Sequence, residues 1–267
     1  MNYFVSNGKK GFLISLVLVK PQKRNIIMSS VSKDFKIMFV RHGQGFHNLG
    51  IHAREELEFT EEETLRTMNS SLTEKGLNQA KLAGKRLKDT KFDLAISSDL
   101  KRAKQTAKAI VDANNSIDTF EEWRVVRERC VGDFEGREDV DAALIIVEKA
   151  VVDRNTLTWR PPNGESVVDL RNRIKLFLSQ VQALAMSCST EVPMILVVSH
   201  GAFMNELYYL LSESDVAKDI EKKTPKYQNT GIAQYHFRTK KLDENDNHAL
   251  EEVRCDIFSC AEHLLED

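Results

Sequence analysis

Short apolar runs alternate with amphipathic segments along this chain, and the alternation predicts strands and helices that follow one another. Residues 37–40 and 194–198 are apolar runs too short for buried helices, and they fit strands covered on both faces of a parallel sheet. Further strands are predicted at 92–96, 123–126, 232–237 and 252–257. The last two of these are expected at an edge of the sheet.

Between the apolar runs, apolar residues recur at three- and four-residue spacing, which is typical of helices that pack through one face. Thr73 and Ser166 precede two such segments and can cap them, and residues 97–99 offer caps for a third. Strands that alternate with helices predict an α/β protein. We expect a three-layer sandwich in which helices flank a mostly parallel central sheet.

The composition indicates one large domain, because 267 residues with 42% hydrophobic side chains can bury a substantial core. We place this domain at residues 34–267. Residues 1–33 contain no acid and five basic residues by position 24, and are interpreted as a disordered leader, although organelle targeting by this leader stays open. A formal charge of −2 provides no global basic field, so neither nucleic acid nor a membrane is expected as a partner. Four cysteines without a CxxC pair fit free thiols and a cytoplasmic protein.

The candidate catalytic and binding residues lie where the two central strands end. Arg41 and His42 follow the first strand and His200 follows the second, each histidine with a glycine after it. Because ligands of open α/β sheets bind at the carboxyl ends of strands, the two imidazoles would face each other if the strands are neighbours. Arg102 falls in the first turn of a predicted helix, beside exposed N–H groups, and Glu128 lies on a loop after a predicted strand.

These five side chains fit the transfer of a phosphoryl group. One arginine side chain can donate two hydrogen bonds to the oxygens of a phosphate group. A neutral imidazole is a usable nucleophile that can form a covalent phosphoenzyme. We expect His42 to attack phosphorus, Arg41, Arg102 and His200 to hold the oxygens, and Glu128 to supply the proton for the leaving group. No metal and no cofactor is expected, because these residues supply the positive charge. The expected partner is a small phosphorylated metabolite.

Other chemistry finds less support in the sequence. Gly43-x-Gly45 begins like a dinucleotide-binding fingerprint, but Asn48 stands where the third glycine is needed. His47, His52 and His236 belong to no motif and are interpreted as ordinary polar residues.

Five ordered motifs resemble those of the histidine phosphatase superfamily, also called the phosphoglycerate mutase-like fold, over residues 36 to about 260. The motifs are Val40-Arg41-His42-Gly43 with Asn48, Leu72-Thr73-Glu74-Lys75-Gly76, Ser97-Ser98-Asp99-Leu100-Lys101-Arg102-Ala103-Lys104-Gln105-Thr106, Arg127-Glu128-Arg129 with Pro161-Pro162-Asn163-Gly164-Glu165-Ser166, and Val197-Val198-Ser199-His200-Gly201. The resemblance implies that His42 is the phosphorylated histidine and Glu128 the proton donor. It also implies that Arg41, Asn48, Arg102 and His200 form the phosphate pocket.

Within the superfamily, residues 98–106, 197–204 and 229–231 are similar to the TIGAR type of fructose-2,6-bisphosphatase. This similarity implies a sugar bisphosphate substrate such as fructose-2,6-bisphosphate and a role in glycolysis regulation. Two features depart from the family pattern. Gln44-Gly45 replaces the usual Glu-Thr, and residues 49–71 form an acidic insertion where the substrate loop of the family is shorter.

Three alternatives stay open. Phosphoglycerate mutases usually carry a pair of arginines ahead of the Pro-Pro loop, whereas this chain has only Arg160 there, which favours net phosphatase activity. A phosphoprotein phosphatase would use the same pocket. A catalytically idle docking module could bind a basic protein partner through the acidic insertion.

Overall fold

The described parts of the chain form one sheet with helices on both faces. The computed structural model describes residues 33–49, 69–135, 157–220, 224–241 and 248–265. The strands are β1 (Asp34–Arg41), β2 (Leu94–Ser97), β3 (Glu121–Glu122), β4 (Met194–Ser199), β5 (Ile232–Lys241) and β6 (His248–Cys260). The longer helices are α1 (Glu74–Leu87), α2 (Lys101–Ala113), α3 (Val167–Ser187) and α4 (Gly201–Ser212). The predicted leader and most of the predicted insertion lie outside the described residues, and both stay predictions.

The six strands are ordered β3-β2-β4-β1-β5-β6. The first four run parallel to their neighbours, whereas β5 pairs antiparallel with β1 and with β6. This arrangement confirms the predicted α/β fold with a mostly parallel sheet, and it places the two late strands at one side with β6 at the edge. In the centre, β1 and β4 are neighbours in a register that sets Arg41 opposite Ser199. The two strands that precede the histidines therefore end side by side.

Apolar side chains fill the space on both faces of the sheet, which gives three layers. On one face, Phe39 of β1 packs its ring against Phe177 of α3 and Phe203 of α4. On the other face, Met38 and Val40 of β1 pack against buried residues of α1 and α2. Because β1 is covered on both faces, its residues read as a continuous apolar run rather than as an alternating one.

Two of the predicted helix caps are confirmed and the third is wrong. The Thr73 hydroxyl accepts a hydrogen bond from the Gly76 amide at 3.0 Å, and Ser166 caps α3 in the same way. No side chain of residues 97–99 caps α2, which begins after Leu100. Instead, the side-chain oxygen of Asn69 accepts from the Lys101 amide at 2.7 Å, so a segment distant in sequence caps this helix.

The strand predicted at 123–126 is also wrong. The edge strand β3 ends before it, and Arg124–Val126 forms a 3-10 turn. Its carbonyls bind side chains instead of a neighbouring strand: Val125 accepts from Arg173 at 3.0 Å and Val126 accepts from the Ser199 hydroxyl at 2.8 Å. The apolar character of this segment reflects burial of Val126 against the core rather than sheet pairing.

No helix in the described ranges is both long and apolar enough to span a bilayer.

Candidate active site

His42 and His200 face each other at the carboxyl edge of the sheet, as the sequence predicts. His42 directly follows β1 and His200 directly follows β4. The amide of His42 donates to the Ser199 carbonyl at 3.0 Å, which extends the pairing of the two strands by one residue. The imidazole centroids lie 5.0 Å apart, and both side chains are buried. Sheet pairing therefore places the two histidines side by side.

The hydrogen bonds of His42 fix its neutral tautomer. Its Nδ1 lies 2.7 Å from the Gly43 carbonyl, which can only accept, so Nδ1 carries the proton. The guanidinium Nε of Arg102 donates to Nε2 of His42 at 3.3 Å. Burial, followed by the charge of Arg102, holds the pKa of His42 well below its ordinary value. The Nε2 lone pair is therefore present at neutral pH and directed into the site.

Arg41 and Arg102 provide the positive charge of the site. Burial lowers the pKa of Arg102 to about 10, and Glu128 opposes that change, so this guanidinium stays charged at neutral pH. One terminal nitrogen of Arg41 donates to the Tyr227 carbonyl at 2.7 Å. Within the part of the chain that the structure describes, the buried Nε of Arg41 has no hydrogen-bond partner.

In the described part of the chain, His200 also has buried nitrogens without hydrogen-bond partners. Both of its ring nitrogens are buried without a partner among the described residues. Burial, with Arg102 as the next cause, holds the pKa of His200 well below its ordinary value, so this ring is neutral as well. A buried polar group without a partner costs about 1–3 kcal/mol, and a bound ion or a catalytic role is one explanation for such a group in a native structure. The single N–H of neutral His200 and the Nε–H of Arg41 can each donate to an oxyanion bound beside His42.

Glu128 lies next to the histidine pair, at the start of α4. Its carboxylate accepts from the Arg129 amide at 2.9 Å and from the Ala202 amide at 3.1 Å. Ala202 belongs to the first turn of α4, where unpaired N–H groups and the helix dipole favour a carboxylate. Burial lowers the pKa values of Arg41 and Arg102, and the negative charge of Glu128 opposes this change in both, which places Glu128 within electrostatic reach of both.

Arg173 of α3 holds the loop that carries Glu128. Its guanidinium donates to the carbonyls of Val125 at 3.0 Å, Arg127 at 2.7 Å and Glu128 at 3.1 Å. The carboxylate of Glu165 accepts from the same guanidinium at 2.8 and 2.6 Å. One side chain therefore fixes the backbone on both sides of Glu128, and Glu165 balances its charge.

The turn after His42 is fastened to two helices. The Gly43 amide donates to the Thr106 hydroxyl at 3.0 Å, and the Gln44 amide donates to the side chain of Gln79 at 2.8 Å. A Cβ atom on Gly43 would lie 2.5 Å from the Gly76 carbonyl oxygen. Only glycine fits at position 43, because the turn passes directly over the start of α1.

Asn48 lies at the exposed side of the site, on a 3-10 turn formed by Phe46–Asn48. Its side-chain oxygen accepts from the Gly45 amide at 3.0 Å and from Asn229 at 3.4 Å. Asn229 also donates to the His42 carbonyl at 3.1 Å, so it links the two segments. The structure thus brings Asn48 to the same region as His42, and its contact with phosphate stays a prediction.

Two residues near the site have no signal in the sequence analysis. The ring of His47 lies 5.2 Å from the ring of His42, although the sequence pattern gave no reason to single it out. Glu135 lies within electrostatic reach of Arg102 and Glu128, and burial raises its pKa. The only sequence signal for His47 is its position in the turn between the first His-Gly pair and Asn48.

Within the described ranges, no three His, Cys, Asp or Glu side chains are grouped so that they could hold a metal ion. The four cysteines are free thiols.

Comparison with known proteins identifies the family. The sequence profile of the histidine phosphatase superfamily (branch 1) matches residues 37–244. A 2,3-bisphosphoglycerate-dependent phosphoglycerate mutase from Bartonella henselae is 30% identical over 195 residues, which cover 69% of this chain and 86% of that protein. A phosphoglycerate mutase from Schizosaccharomyces pombe is 30% identical over 170 residues, covering 58% of this chain and 76% of that protein.

Solved structures share the fold at lower sequence identity. A structure described as mycobacterial hydrolase 2 has a TM-score of 0.63 and 21% identity, with 85% of this chain and 91% of that chain covered. The phosphoglycerate mutase from Bacillus anthracis has a TM-score of 0.60 and 21% identity, with 88% and 97% covered. The family profile spans most of the chain and includes both strand-end histidines, so the chain belongs to the histidine phosphatase superfamily.

Proposed function

We propose that the protein is a phosphatase that hydrolyses a phosphate monoester through a phosphohistidine at His42. The observation that carries this proposal is the set of buried, unpaired nitrogens on His200 and Arg41 beside the Nε2 lone pair of His42. A phosphate offers oxygens that can accept from the single N–H of neutral His200, from the Nε–H of Arg41 and from the Arg102 guanidinium. A neutral, buried imidazole is also the form that can attack phosphorus.

In the first step, Nε2 of His42 forms a bond to phosphorus and the bond from phosphorus to the ester oxygen breaks. Arg41, Arg102 and His200 hold the other oxygens as negative charge moves onto them. Glu128 is a carboxylate in the free site and must bind a proton before this step, and the leaving alkoxide then takes that proton from it. The products are a free alcohol, phosphohistidine and the carboxylate of Glu128.

In the second step, a water molecule attacks the phosphohistidine. Glu128, now a carboxylate, takes a proton from this water, and the bond from phosphorus to Nε2 breaks. Inorganic phosphate leaves, and both side chains return to their starting forms. Arg173 has a part in this proposal because it holds the backbone of Glu128 from a neighbouring helix.

For the substrate we propose a sugar bisphosphate such as fructose-2,6-bisphosphate, with a role in glycolysis regulation in the cytoplasm. Support comes from the resemblance of three segments to the TIGAR type of fructose-2,6-bisphosphatase and from Gln44, which replaces an acidic residue of that family. The Gln44 side chain accepts from the Thr73 hydroxyl at 2.9 Å. A neutral side chain here repels a second anionic group less than a carboxylate would.

Phosphoglycerate mutase activity is the second candidate, because the relatives from Bartonella henselae and Schizosaccharomyces pombe carry that name. A mutase must keep water from its phosphohistidine and return the phosphoryl group to an organic acceptor, whereas a phosphatase must admit water. The two functions share the step that forms phosphohistidine and differ in the molecule that then accepts the phosphoryl group.

A panel assay of phosphate release tests the proposal. The panel contains fructose-2,6-bisphosphate, 2,3-bisphosphoglycerate, 3-phosphoglycerate and a phosphopeptide, each assayed with EDTA present. We expect one sugar bisphosphate to be hydrolysed well above the others and His42→Ala to lose about 10⁴-fold or more in kcat. Phosphoglycerate isomerisation faster than phosphate release would favour the mutase, and preference for the phosphopeptide would favour a phosphoprotein phosphatase. No turnover by the wild type would favour a docking module that binds a protein through residues 49–71.

A further inference from the structure

His47 is the third histidine of the site, and its surroundings are built to hold it. It lies in the 3-10 turn Phe46–Asn48, and its ring folds back over Gly45. A Cβ atom on Gly45 would lie 2.7 Å from Nδ1 and 2.8 Å from Cε1 of His47. Position 45 therefore needs glycine for space and not for its backbone angles, since φ is −96°. The absence of a side chain at 45 lets the His47 ring approach within 5.2 Å of His42.

The hydrogen bonds of His47 define which nitrogen carries the proton. Its Nε2 lies 3.0 Å from the amide nitrogen of Asn48, which can only donate, so Nε2 accepts. Its Nδ1 lies 2.8 Å from the Ser70 hydroxyl and therefore carries the proton that is donated to it. The orientation of the Asn48 amide is assigned independently, because its oxygen accepts from the Gly45 amide at 3.0 Å.

This geometry links His47 to the phosphate pocket through Asn48. The oxygen of Asn48 is occupied by the amides of Gly45 and Asn229, and one N–H of its amide group is directed at His47. Among the described residues, the second N–H of the same group has no acceptor, so it can donate to a bound group. A phosphate oxygen beside His42 is such an acceptor, and a pre-oriented amide loses less conformational entropy when it binds.

We propose that His47 is a positioning residue, which holds the side chain of Asn48 in the orientation that binds a phosphate oxygen of the substrate. The inference rests on the proposed function, because it concerns the same phosphate pocket. His47 itself does not exchange a proton with the substrate in this proposal. Its loss should therefore weaken phosphate binding more than it slows the chemical step.

The test uses full-length protein and His47→Phe, which keeps a ring and removes both nitrogens. We expect KM for the best substrate of the panel, and the dissociation constant for inorganic phosphate in calorimetry, to rise about tenfold with kcat within about twofold. His47→Gln offers an acceptor oxygen and should regain most of the loss. Asn48→Ala should show the same rise, and adding His47→Phe to it should change nothing further. His236→Phe is the matched control, because His236 binds Asp34 and Arg254 outside the site and its replacement should leave phosphate binding unchanged.

The inference would be overturned if His47→Phe bound phosphate as tightly as the wild type. It would also be overturned if the losses of phosphate affinity from His47→Phe and Asn48→Ala multiplied in the double variant. A fall in kcat without a change in phosphate binding would overturn it too. Calorimetry with inorganic phosphate needs no turnover, so it separates the two proposals. A wild type that is inactive on the panel but binds phosphate with an affinity that depends on His47 would count against the proposed function and support this inference.

Discussion

The two sides of the site are built in different ways. His42 and His200 extend from adjacent parallel strands, so backbone pairing between β1 and β4 sets their distance. Glu128 lies on a segment without sheet or helix, and side chains from elsewhere hold it, chiefly Arg173. The nucleophile side is therefore rigid through the sheet itself. The proton-donor side depends on a few polar contacts, and three of them come from the single side chain of Arg173.

The largest effect that sharpens this comparison is expected from Glu128→Gln. Glutamine keeps an oxygen for the Ala202 amide but cannot supply the proton, so kcat/KM for an alkyl phosphate, which reports the first step, should fall about 10²- to 10⁴-fold. The loss in kcat/KM should be much smaller for p-nitrophenyl phosphate, because its leaving group departs without a proton. Steady-state kinetics with both substrates makes the measurement. Equal losses of kcat/KM on the two substrates would show that Glu128 is not the proton donor.

An intermediate effect is expected from Arg173→Met, which releases the loop and leaves Glu128 itself unchanged. The kcat should fall up to about 10²-fold through misplacement of the carboxylate, and unfolding free energy should fall by about 2–3 kcal/mol. Arg173→Lys should restore part of kcat.

The matched control for that variant is Arg171→Met on the same helix. Arg171 pairs with Glu206 at 2.8 Å and with Glu213 at 3.3 Å, and neither lies on the loop. Arg171→Met should be less stable than the wild type in chemical denaturation, and its kcat should not fall beyond what this loss of stability explains. If both variants lose kcat in proportion to stability, Arg173 acts on the fold and not on Glu128.

The smallest effect concerns pH and the buried histidine pair. Both histidines have pKa values well below the ordinary 6.5, chiefly through burial, so the folded state binds fewer protons than the unfolded state below pH 6.5. Their contribution to stability is therefore constant above pH 6.5 and is lost as pH falls toward the folded-state pKa values. Each histidine contributes a slope of at most about 1.4 kcal/mol per pH unit.

Denaturant unfolding between pH 5 and pH 7 measures this slope. His200→Gln should lose the contribution of one histidine to this slope. Its unfolding free energy should therefore decrease less steeply with falling pH than that of the wild type. Identical pH dependence in the two proteins would contradict the assignment of His200 as a buried neutral imidazole.

The difference between the strand-end histidines and the Glu128 segment also explains which features could be predicted from the sequence. The runs 37–40 and 194–198 indicate buried parallel strands because they have no polar face, and the residues after them are then forced to the same sheet edge. His42 and His200 could therefore be assigned to one site from sequence alone. Thr73 and Ser166 could be assigned as caps because a cap and its helix are local in sequence.

Contacts between distant segments could not be predicted in this way. The run 123–126 has the composition of a strand, but its carbonyls bind Arg173 and Ser199, which lie far away in sequence. Asn69 caps α2 across about thirty residues in place of the local candidates at 97–99. The position of His47 depends on the space above Gly45 and on the hydroxyl of Ser70, and neither has a periodic signal.

The central claim is that His42 carries the phosphoryl group during turnover, and the most direct measurement is to trap it. The protein is mixed with the best phosphate monoester of the panel, quenched in base within milliseconds to preserve the acid-labile bond, digested and examined by mass spectrometry. We predict phosphate on the peptide that contains His42 in the wild type and its absence in His42→Ala. We also predict its accumulation in Glu128→Gln with p-nitrophenyl phosphate, because this substrate needs no proton in the first step while the second step lacks its base. Turnover without phosphate on this peptide, or phosphate on another residue that persists in His42→Ala, would contradict the account.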